Sequence, residues 1–344
     1  MPSPSNSVVV ASAGSRKTTS IVEAALAVPA GNVLITTYTI ENVNQINSYL
    51  IQRRGHIPAN IAVVSWFSFL LQDGVRPYQN YMTDKGRITT VNFDYQPNRY
   101  IPKSNADAYF LTSGNNIYQD RVSDFVCECD NRSGGLVIRR LEKIYSHVFI
   151  DELQDLAGYD LDLLEKLFTS TISVVAVGDP RQATFSTNKS PKNKKYKKKN
   201  IIDWINEKHA AKLFKLEQLT DCYRSNQAIC DFADALFPTL PKTVSKNLTI
   251  TGHDGVFFIE SHQVAEYLNA HKPTVLRHDK RTHTMELSAL NIGLSKGRTY
   301  ERVLIFPTNP MKLYLDTKDL SKAGDLAKLY VAVTRAKFSV AFVT

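Results

Sequence analysis

Gly14, Lys17 and Thr18 are the first residues whose types and spacing suggest chemistry, in the segment ASAGSRKTT. Small residues followed by Lys-Thr, between an apolar run and a helical pattern, are typical of a loop whose backbone N–H groups cradle phosphate. In such a loop the lysine reaches the outer phosphates and the threonine hydroxyl binds Mg²⁺. The usual pattern has glycine at both ends, but these positions hold Ala11 and Arg16. Two interpretations are open at this point, a modified phosphate-binding loop and an ordinary connection between a strand and a helix.

Two adjacent acids, Asp151 and Glu152, follow the apolar run in IYSHVFIDELQDL. Side chains at the carboxyl end of a strand lie where α/β sheets bind ligands. One acid could hold Mg²⁺, and the next could orient or deprotonate an attacking water. The alternative is a helix N-terminus, where acids stabilise the helix dipole. The presence of Lys17 and Thr18 upstream favours the chemical interpretation.

Three further polar side chains come after apolar segments. Gln182 lies in AVGDPRQATF, Arg224 in CYRS and Arg335 in YVAVTRAK. A neutral amide could respond to a γ-phosphate, and arginines could neutralise the charge that develops during phosphoryl transfer. Taken singly, Gly-Asp-Pro could be a plain turn and each arginine a surface residue.

The hydrophobic pattern predicts the elements that must position these side chains. Apolar runs such as Val33–Thr39 and Ile172–Pro180 alternate with helical stretches such as Ile40–Gln52, which indicates an α/β fold with parallel sheets. From Gln72 to Gly135 the periodicity weakens and Asn, Tyr, Ser and Gly become frequent, which predicts an inserted subdomain. A second α/β unit opens at Phe214.

Composition favours an acidic partner. The 344 residues include 42 Lys and Arg against 33 Asp and Glu, a net charge of +9, and nucleic acid is the commonest partner of so basic a chain. None of the four cysteines forms a Cys-x-x-Cys pair, and no apolar stretch reaches the about 18 residues of a membrane span. We therefore expect a cytoplasmic protein that has no membrane partner.

In their order along the chain, these segments resemble the motifs of the UvrD/Rep-like group of superfamily 1 DNA helicases. The segments that carry the resemblance are ASAGSRKTT, TTYTIENVNQI, SWFSF, IDELQD, VGDPRQATF, CYRSN, GLSKGRTYERVLI and YVAVTRAK. The resemblance implies an α/β fold of two RecA-like P-loop domains with parallel sheets and a small inserted subdomain in the first. The first domain would comprise residues 1–71 and 136–212, the insertion residues 72–135, and the second domain residues 213–344.

The resemblance also implies roles for individual residues around ATP and Mg²⁺. The residues implied to bind ATP are Ala13, Gly14, Ser15, Arg16, Lys17, Thr18, Thr19 and Tyr223, the last by stacking on the adenine. The residues implied to hold Mg²⁺ are Thr18 and Asp151. The residues implied in catalysis are Glu152, which would activate water, Gln182, which would couple the γ-phosphate to the nucleic-acid groove, and the arginine fingers Arg224 and Arg335.

A track for single-stranded nucleic acid, with DNA preferred, is implied as well. Its residues would be Tyr38, Thr39, Asn42, Trp66 and Phe185. Aromatic rings suit a motor, because a base stacked on a ring gains about 1–3 kcal/mol whatever its identity. For Trp66 the alternative is packing in the core.

The function that follows is DNA-stimulated ATP hydrolysis that drives translocation or unwinding, with the 3′–5′ polarity implied by the resemblance. The alternative is an ATP-controlled DNA-binding subunit of a larger repair or phage-defence complex, acting beside a nuclease or another protein. A P-loop enzyme unrelated to nucleic acid, such as a small-molecule kinase, is disfavoured by the basic charge, the paired arginines and the aromatic positions.

Two features depart from the pattern. Arg16 must either direct its side chain out of the loop or add a cation around the phosphates. Seven lysines lie between Lys189 and Lys199. They form either a solvated, mobile loop or a clamp for the nucleic-acid backbone, which would make binding strongly dependent on salt.

Overall fold

The computed structural model describes residues 5–344, which divide into two compact units. The first unit comprises the described residues through Val10, together with Lys17–Pro180 and Phe185–Glu217. The second unit comprises Ala11–Arg16, Arg181–Thr184 and Gln218–Thr344. Two short segments that lie within the sequence of the first unit therefore belong to the second unit.

Strands and helices alternate along the chain, and the α/β class with parallel sheets that the sequence predicts is confirmed. The strands are β1 (Ser7–Ala11), β2 (Val33–Thr37), β3 (Ile61–Ser65), β4 (Val91–Asn92), β5 (Ile117–Tyr118), β6 (His147–Asp151), β7 (Ser173–Gly178), β8 (Lys215–Leu219), β9 (Asp221–Cys222), β10 (Val244–Ser245), β11 (Gly255–Ile259), β12 (Thr274–Arg277), β13 (Leu290–Asn291), β14 (Tyr300–Phe306) and β15 (Ala336–Val343). The helices are α1 (Lys17–Leu26), α2 (Ile40–Arg54), α3 (Trp66–Phe69), α4 (Ala106–Phe110), α5 (Val122–Arg132), α6 (Leu136–Ile144), α7 (Tyr159–Phe168), α8 (Ile201–Ala210), α9 (Gln227–Ala235), α10 (Val264–His271), α11 (Asn309–Thr317) and α12 (Leu326–Val333).

One sheet contains six strands in the order β3-β2-β6-β7-β1-β8. The pairs β3–β2, β2–β6, β6–β7 and β7–β1 are all parallel. Every residue of β2 is buried, as expected for a parallel strand that is covered on both faces. Because parallel strands end at the same edge, the segments that follow β2, β6 and β7 share one edge of the sheet.

The boundary between β2 and α2 shows how local chemistry sets the ends of elements. Thr39 adopts an extended conformation and its hydroxyl accepts a hydrogen bond from the backbone N–H of Asn42, so Thr39 is the N-cap of α2. The helix ends at Gly55, whose φ of 79° is readily adopted only by glycine. The strand therefore stops at Thr37, before the cap.

Residues 72–135 lie within the first unit and contain β4, β5, α4 and α5. The short strands β4 and β5 pair in parallel. Phe110 and Phe125 from this segment belong to the same hydrophobic cluster as Leu161 and Leu164 of α7. The segment is thus built onto the core of the first unit.

The second unit is organised around a five-stranded sheet in the order β11-β15-β14-β12-β13, with every pair parallel. Its strands β14 and β15 and helices α9 and α12 contribute the buried side chains of a second hydrophobic cluster. Among the described residues, no helix combines the length and the apolar character needed to cross a membrane.

Candidate functional site

Thr18 and Asp151 lie side by side in the first unit. Thr18 is the second residue of α1, Asp151 is the last residue of β6, and the Thr18 hydroxyl donates to Oδ2 of Asp151 over 2.9 Å. Burial, and next the negative charge of Glu152, raise the pKa of Asp151 to about 6, while Thr18 and Lys17 act in the opposite direction. The pKa stays raised although the backbone N–H of Glu152 also donates to Oδ1 of Asp151. A buried carboxylate of this kind beside a hydroxyl offers the oxygen ligands that a divalent cation prefers.

Glu152 is held in an uncommon backbone conformation. Its φ of 62° and ψ of 42° lie in the left-handed region, which residues other than glycine seldom adopt. Outliers of this kind are concentrated at functional sites, where the surrounding structure maintains them. The side chain is half-buried, and its carboxylate accepts a hydrogen bond from the amide of Gln154.

Gln154 connects Glu152 to the loop that follows β7. Its Oε1 accepts a hydrogen bond from the backbone N–H of Asp179 over 2.9 Å, while its amide nitrogen donates to Glu152. A Cβ on Gly178 would lie 2.5 Å from this Oε1, so only glycine permits the approach. Gln154 therefore fixes the orientation of the Glu152 carboxylate.

The loop between β1 and α1 is closely packed within the second unit. Gly14 has a φ of 78°, and a Cβ there would lie 2.7 Å from Sγ of Cys222 and 2.8 Å from Cβ of Arg224. The carbonyl of Gly14 accepts a hydrogen bond from the backbone N–H of Tyr223 over 2.9 Å. Position 14 therefore admits only glycine, because of its φ and its close neighbours.

The other residues expected in this loop have more varied surroundings. The backbone N–H of Ala13 donates to the hydroxyl of Tyr330 over 3.2 Å. Ser15 is buried, and its hydroxyl has no hydrogen-bond partner among residues 5–344. Lys17 is the first residue of α1, and Thr19 lies half-buried in its first turn.

Arg16 directs its guanidinium onto Tyr223. Its φ of 62° lies in the region that favours glycine, and its Cζ lies 3.8 Å from the centroid of the Tyr223 ring. Tyr223 is 43% exposed, so the arginine covers one face of a ring that is otherwise accessible. The side chain thus has a place outside the loop, stabilised by a cation–π contact.

Gln182, Arg224 and Arg335 come together in the second unit. Nη2 of Arg335 donates to Oε1 of Gln182 over 3.2 Å, and Nη1 of Arg224 donates to the carbonyl of Thr334 over 3.0 Å. Arg335 is 1% exposed and also donates from Nε to the carbonyl of Val331. A buried guanidinium needs such partners, because an uncompensated buried charge is strongly unfavourable.

Four aromatic side chains form a row on the first unit, here called the aromatic groove: Phe185, Tyr38, Phe67 and Phe93. Successive ring centroids lie 6.2, 6.1 and 5.4 Å apart. Phe185 and Phe93, at the two ends, are 36% and 54% exposed. A cavity of about 370 Å³ is lined by Tyr38, Phe67 and Phe93. The row offers several ring faces on which bases could stack.

Three residues expected on the nucleic-acid track make hydrogen bonds within the protein. Trp66 is 1% exposed and its Nε1–H donates to Asp160 over 2.8 Å, which corrects its assignment to the track in favour of the core-packing alternative. The hydroxyl of Thr39 caps α2, and Nδ2 of Asn42 donates to Thr37 over 3.2 Å. Both of these residues are half-buried, Thr39 directly after Tyr38 and Asn42 in the first turn of α2.

A model of the viral superfamily 1 RNA helicase core domain matches residues 137–344, more than half of the chain. This chain belongs to that family. The prediction of a superfamily 1 helicase is thereby confirmed, whereas the narrower assignment to the UvrD/Rep-like group stays a prediction.

Solved structures agree with the fold of this superfamily 1 helicase core. The crystal structure of arterivirus nonstructural protein 10, a helicase, superposes with a TM-score of 0.51 at 16% identity, over 98% of this chain and 59% of that one. The complex of the same helicase with DNA gives a TM-score of 0.53 at 16% identity, over 98% and 61%. The helicase core thus spans about three fifths of these structures, and its pair of parallel sheets is consistent with two RecA-like domains. No match to a curated protein was found.

Sequence reasoning overlooked three residues of this helicase core. Gln154 stands in the quoted segment IDELQD, but its role depends on Asp179 in another loop. Phe67 and Phe93 belong to the aromatic groove, although neither was singled out. Phe67 follows Trp66 directly, so the aromatic pair was a signal, whereas Phe93 lies in a segment without periodicity.

Proposed function

We propose that this helicase core hydrolyses ATP with Mg²⁺ and couples hydrolysis to movement along, or separation of, nucleic-acid strands. The observation that carries the proposal is the 2.9 Å hydrogen bond between Thr18 and Asp151, with Glu152 next to it. Mg²⁺ is usually held by one or two protein oxygen ligands together with substrate phosphates, and these two side chains offer such ligands.

In the proposed reaction, water attacks the γ-phosphorus of ATP, the bond to the β–γ bridging oxygen breaks, and ADP and phosphate leave. Lys17 would neutralise charge on the outer phosphates. Glu152 would accept the proton of the attacking water, with Gln154 holding its carboxylate in orientation. Mg²⁺, when bound by Thr18 and Asp151, neutralises phosphate charge.

The roles of the remaining groups rest on the resemblance. We assign the neutralisation of developing charge to Arg224 and Arg335, and the response to the γ-phosphate to Gln182. The hydrogen bond between Arg335 and Gln182 supports a joint role, because a change at one side chain reaches the other. The loop residues Ala13–Thr19 would surround the phosphates, and Tyr223 would stack on the base.

The nucleic acid would be single-stranded and would lie along the aromatic groove. The exposed ring of Phe185 lies 6.2 Å from the half-buried ring of Tyr38, which supports this assignment. Stacking is tolerant of sequence, as a motor requires. The resemblance favours DNA, whereas the matching family is one of RNA helicases. Every assay should therefore include both DNA and RNA. Polarity rests on the resemblance alone, which predicts 3′–5′ movement.

A second candidate function is an ATP-controlled nucleic-acid-binding subunit that unwinds little on its own and acts beside a nuclease or another protein. One observation favours it. Arg16 lies 3.8 Å over the ring of Tyr223, on a face where the base would stack. If this contact resists displacement, nucleotide exchange would be slow and the chain would act as a switch.

Strand displacement separates the two candidates. DNA and RNA duplexes with a single 3′ or 5′ tail are incubated with ATP, using the wild-type chain and Glu152→Gln as a matched variant that lacks the proposed base. The proposal predicts displacement by the wild-type chain only, and from one tail polarity. ATP-dependent changes in strand binding without displacement would support the subunit function instead.

A further inference from the structure

We propose that the lysine segment, Asn188–Asn200, is a preformed surface for the phosphate backbone of single-stranded nucleic acid. This inference rests on the proposed function, because the segment would hold the part of the strand that continues beyond the aromatic groove. The sequence leaves a mobile loop and a backbone clamp as alternatives. The anchors, the charges and the location of the segment favour the clamp.

Three side chains anchor the lysine segment to the first unit. Nδ2 of Asn188 donates to the buried carboxylate of Asp160, and Nδ2 of Asn193 donates to a backbone carbonyl just before α7. Tyr196 is buried, and its hydroxyl donates to Glu207 in α8. Because the segment is fixed at its start and near its middle, its lysines lose little conformational freedom when they bind a strand.

The anchor at Asp160 reaches deep into the core. Its carboxylate accepts hydrogen bonds from the indole of Trp66 and from the hydroxyls of Ser123 and Thr187, in addition to Asn188. Asp160 is fully buried. A buried carboxylate with this many donors is a rigid attachment point, and Asn188 ties the start of the segment to it.

Lys197 is half-buried, and the other six lysines of the segment fall into two groups. Lys192 pairs with Asp162 over 3.3 Å, and Lys195 pairs with Glu207 over 3.7 Å, so these two charges are already compensated. The exposed lysines with no carboxylate within 4 Å among residues 5–344 are Lys189, Lys194, Lys198 and Lys199. A cluster of uncompensated cations on a fixed backbone attracts a polyanion.

The segment begins close to the aromatic groove. Lys189 follows Phe185 by four residues, a distance of at most about 14 Å along the chain. Stacked nucleotides rise by about 3.4 Å each, so a strand on the groove would reach Lys189 within about four nucleotides. The backbone N–H of Lys189 donates to Asp120, two residues after β5, and β5 pairs with β4 immediately before Phe93. The same small sheet therefore supports the groove and the segment.

These features favour nucleic acid over an acidic protein surface as the partner. A strand carries a phosphate on each nucleotide, so several uncompensated lysines, Lys194, Lys198 and Lys199 among them, could contact one strand. Stacking surfaces lie next to the cations, and this combination is typical of single-strand binding. An acidic protein surface could pair with the lysines, but its binding would not explain the aromatic groove beside them.

Salt dependence of binding tests the inference. A variant with Lys189→Gln, Lys194→Gln, Lys198→Gln and Lys199→Gln is compared with a control that carries four Lys→Gln changes at exposed lysines outside the segment, Lys143, Lys212, Lys215 and Lys242. Binding of labelled oligothymidylate and oligouridylate is measured by fluorescence anisotropy between about 50 and 200 mM salt. A third variant with only Lys198→Gln and Lys199→Gln shows whether the loss of binding grows with the number of lysines removed. Thermal unfolding checks that each variant is folded.

We expect the slope of log K against log salt to fall by up to about 3 in the four-lysine variant, since each phosphate contact to a single strand contributes about 0.7. Affinity at low salt should fall about tenfold or more, the two-lysine variant should lie between, and the control should match the wild-type chain. Equal slopes in the wild-type chain and the variant, or an equal loss in the control, would overturn the inference while leaving the proposed function intact. Absence of binding by the wild-type chain would overturn both.

Discussion

The hydroxyl of Thr18 donates a hydrogen bond to Oδ2 of Asp151 over 2.9 Å, across 133 positions of sequence. This contact joins the start of α1 to the end of β6, so that two distant segments form one site. It also places the hydroxyl where it would share a cation with the carboxylate. The proposed hydrolysis of ATP by this helicase core depends on that pair.

Loss of the Thr18 hydroxyl should abolish hydrolysis without unfolding the chain. Mg²⁺ contributes several kcal/mol of charge stabilisation to phosphoryl transfer, so Thr18→Ala should lower kcat about a hundredfold or more. Thr18→Ser keeps the hydroxyl and should retain most of the activity. Steady-state ATP hydrolysis measures both, and equal rates in the two variants would show that the hydroxyl has no part in the reaction.

Asp151→Asn should stabilise the chain in the absence of nucleotide and Mg²⁺. The folded pKa of about 6 lies above the usual carboxyl value, so the folded state binds more protons between about pH 4 and 6. Stability therefore falls as pH rises through this window, by up to about 3 kcal/mol, and the asparagine variant escapes that loss. Urea unfolding at pH 5 and pH 8 should show the variant's advantage growing with pH.

Asp160→Asn is the matched contrast, since this carboxylate is also buried but accepts several hydrogen bonds. The substitution should destabilise the chain by about 2 kcal/mol or more at pH 5, because the amide keeps one acceptor oxygen and presents an NH₂ to the buried donors at the other position. Burial raises the pKa of Asp160 as well, so the loss should be smaller at pH 8. A stabilising effect at pH 8 would mean that hydrogen bonding does not distinguish the two carboxylates.

Substitution of Trp66 should lower the stability of the chain, whereas substitution of Phe185 should lower its affinity for a single strand. Trp66→Phe removes the indole N–H from Asp160 and should cost about 1–3 kcal/mol of stability, with strand affinity unchanged. Phe185→Ala should cost about 1–3 kcal/mol of strand affinity with little change in stability. Urea unfolding and anisotropy are measured on both variants. A loss of affinity in folded Trp66→Phe would return Trp66 to the track.

Arg16→Gly should leave hydrolysis within a few fold of the wild-type rate. Glycine relieves backbone strain at φ 62° and so stabilises the folded chain by about 1 kcal/mol. Loss of the contact with Tyr223 destabilises it by about 0.5–1 kcal/mol, so the free energy of unfolding should change little. If Arg16 obstructs the Tyr223 ring, the variant should bind ATP more tightly, which titration calorimetry detects. A large loss of kcat would instead assign Arg16 a direct role at the phosphates.

Local patterns predicted the elements well, because each depends on a few neighbouring residues. The predicted strand Val33–Thr39 ends at Thr37 in the structure, since Thr39 caps α2. Within residues 61–71 the chain changes from strand to helix at Ser65, which caps α3 in the same way. Residues 72–135 gave little signal, because β4 and β5 are only two residues long and their pairing is not local.

Long-range contacts explain the parts of the site that the sequence did not predict. Trp66 has its partner Asp160 94 positions away, and Gln154 acts through Asp179, 25 positions away. Neither partner is visible in a short window of sequence. The motif residues themselves, such as Thr18 and Asp151, were identifiable because their types and the preceding apolar strands are local features.

ATP hydrolysis with and without single-stranded DNA or RNA, beside a Lys17→Ala control, tests the central claim most directly. The account predicts that a single strand stimulates hydrolysis by the wild-type chain and that the control is inactive under both conditions. Turnover that stays flat with and without either strand, while ATP still binds, would contradict the motor and leave a nucleotide-controlled binding protein.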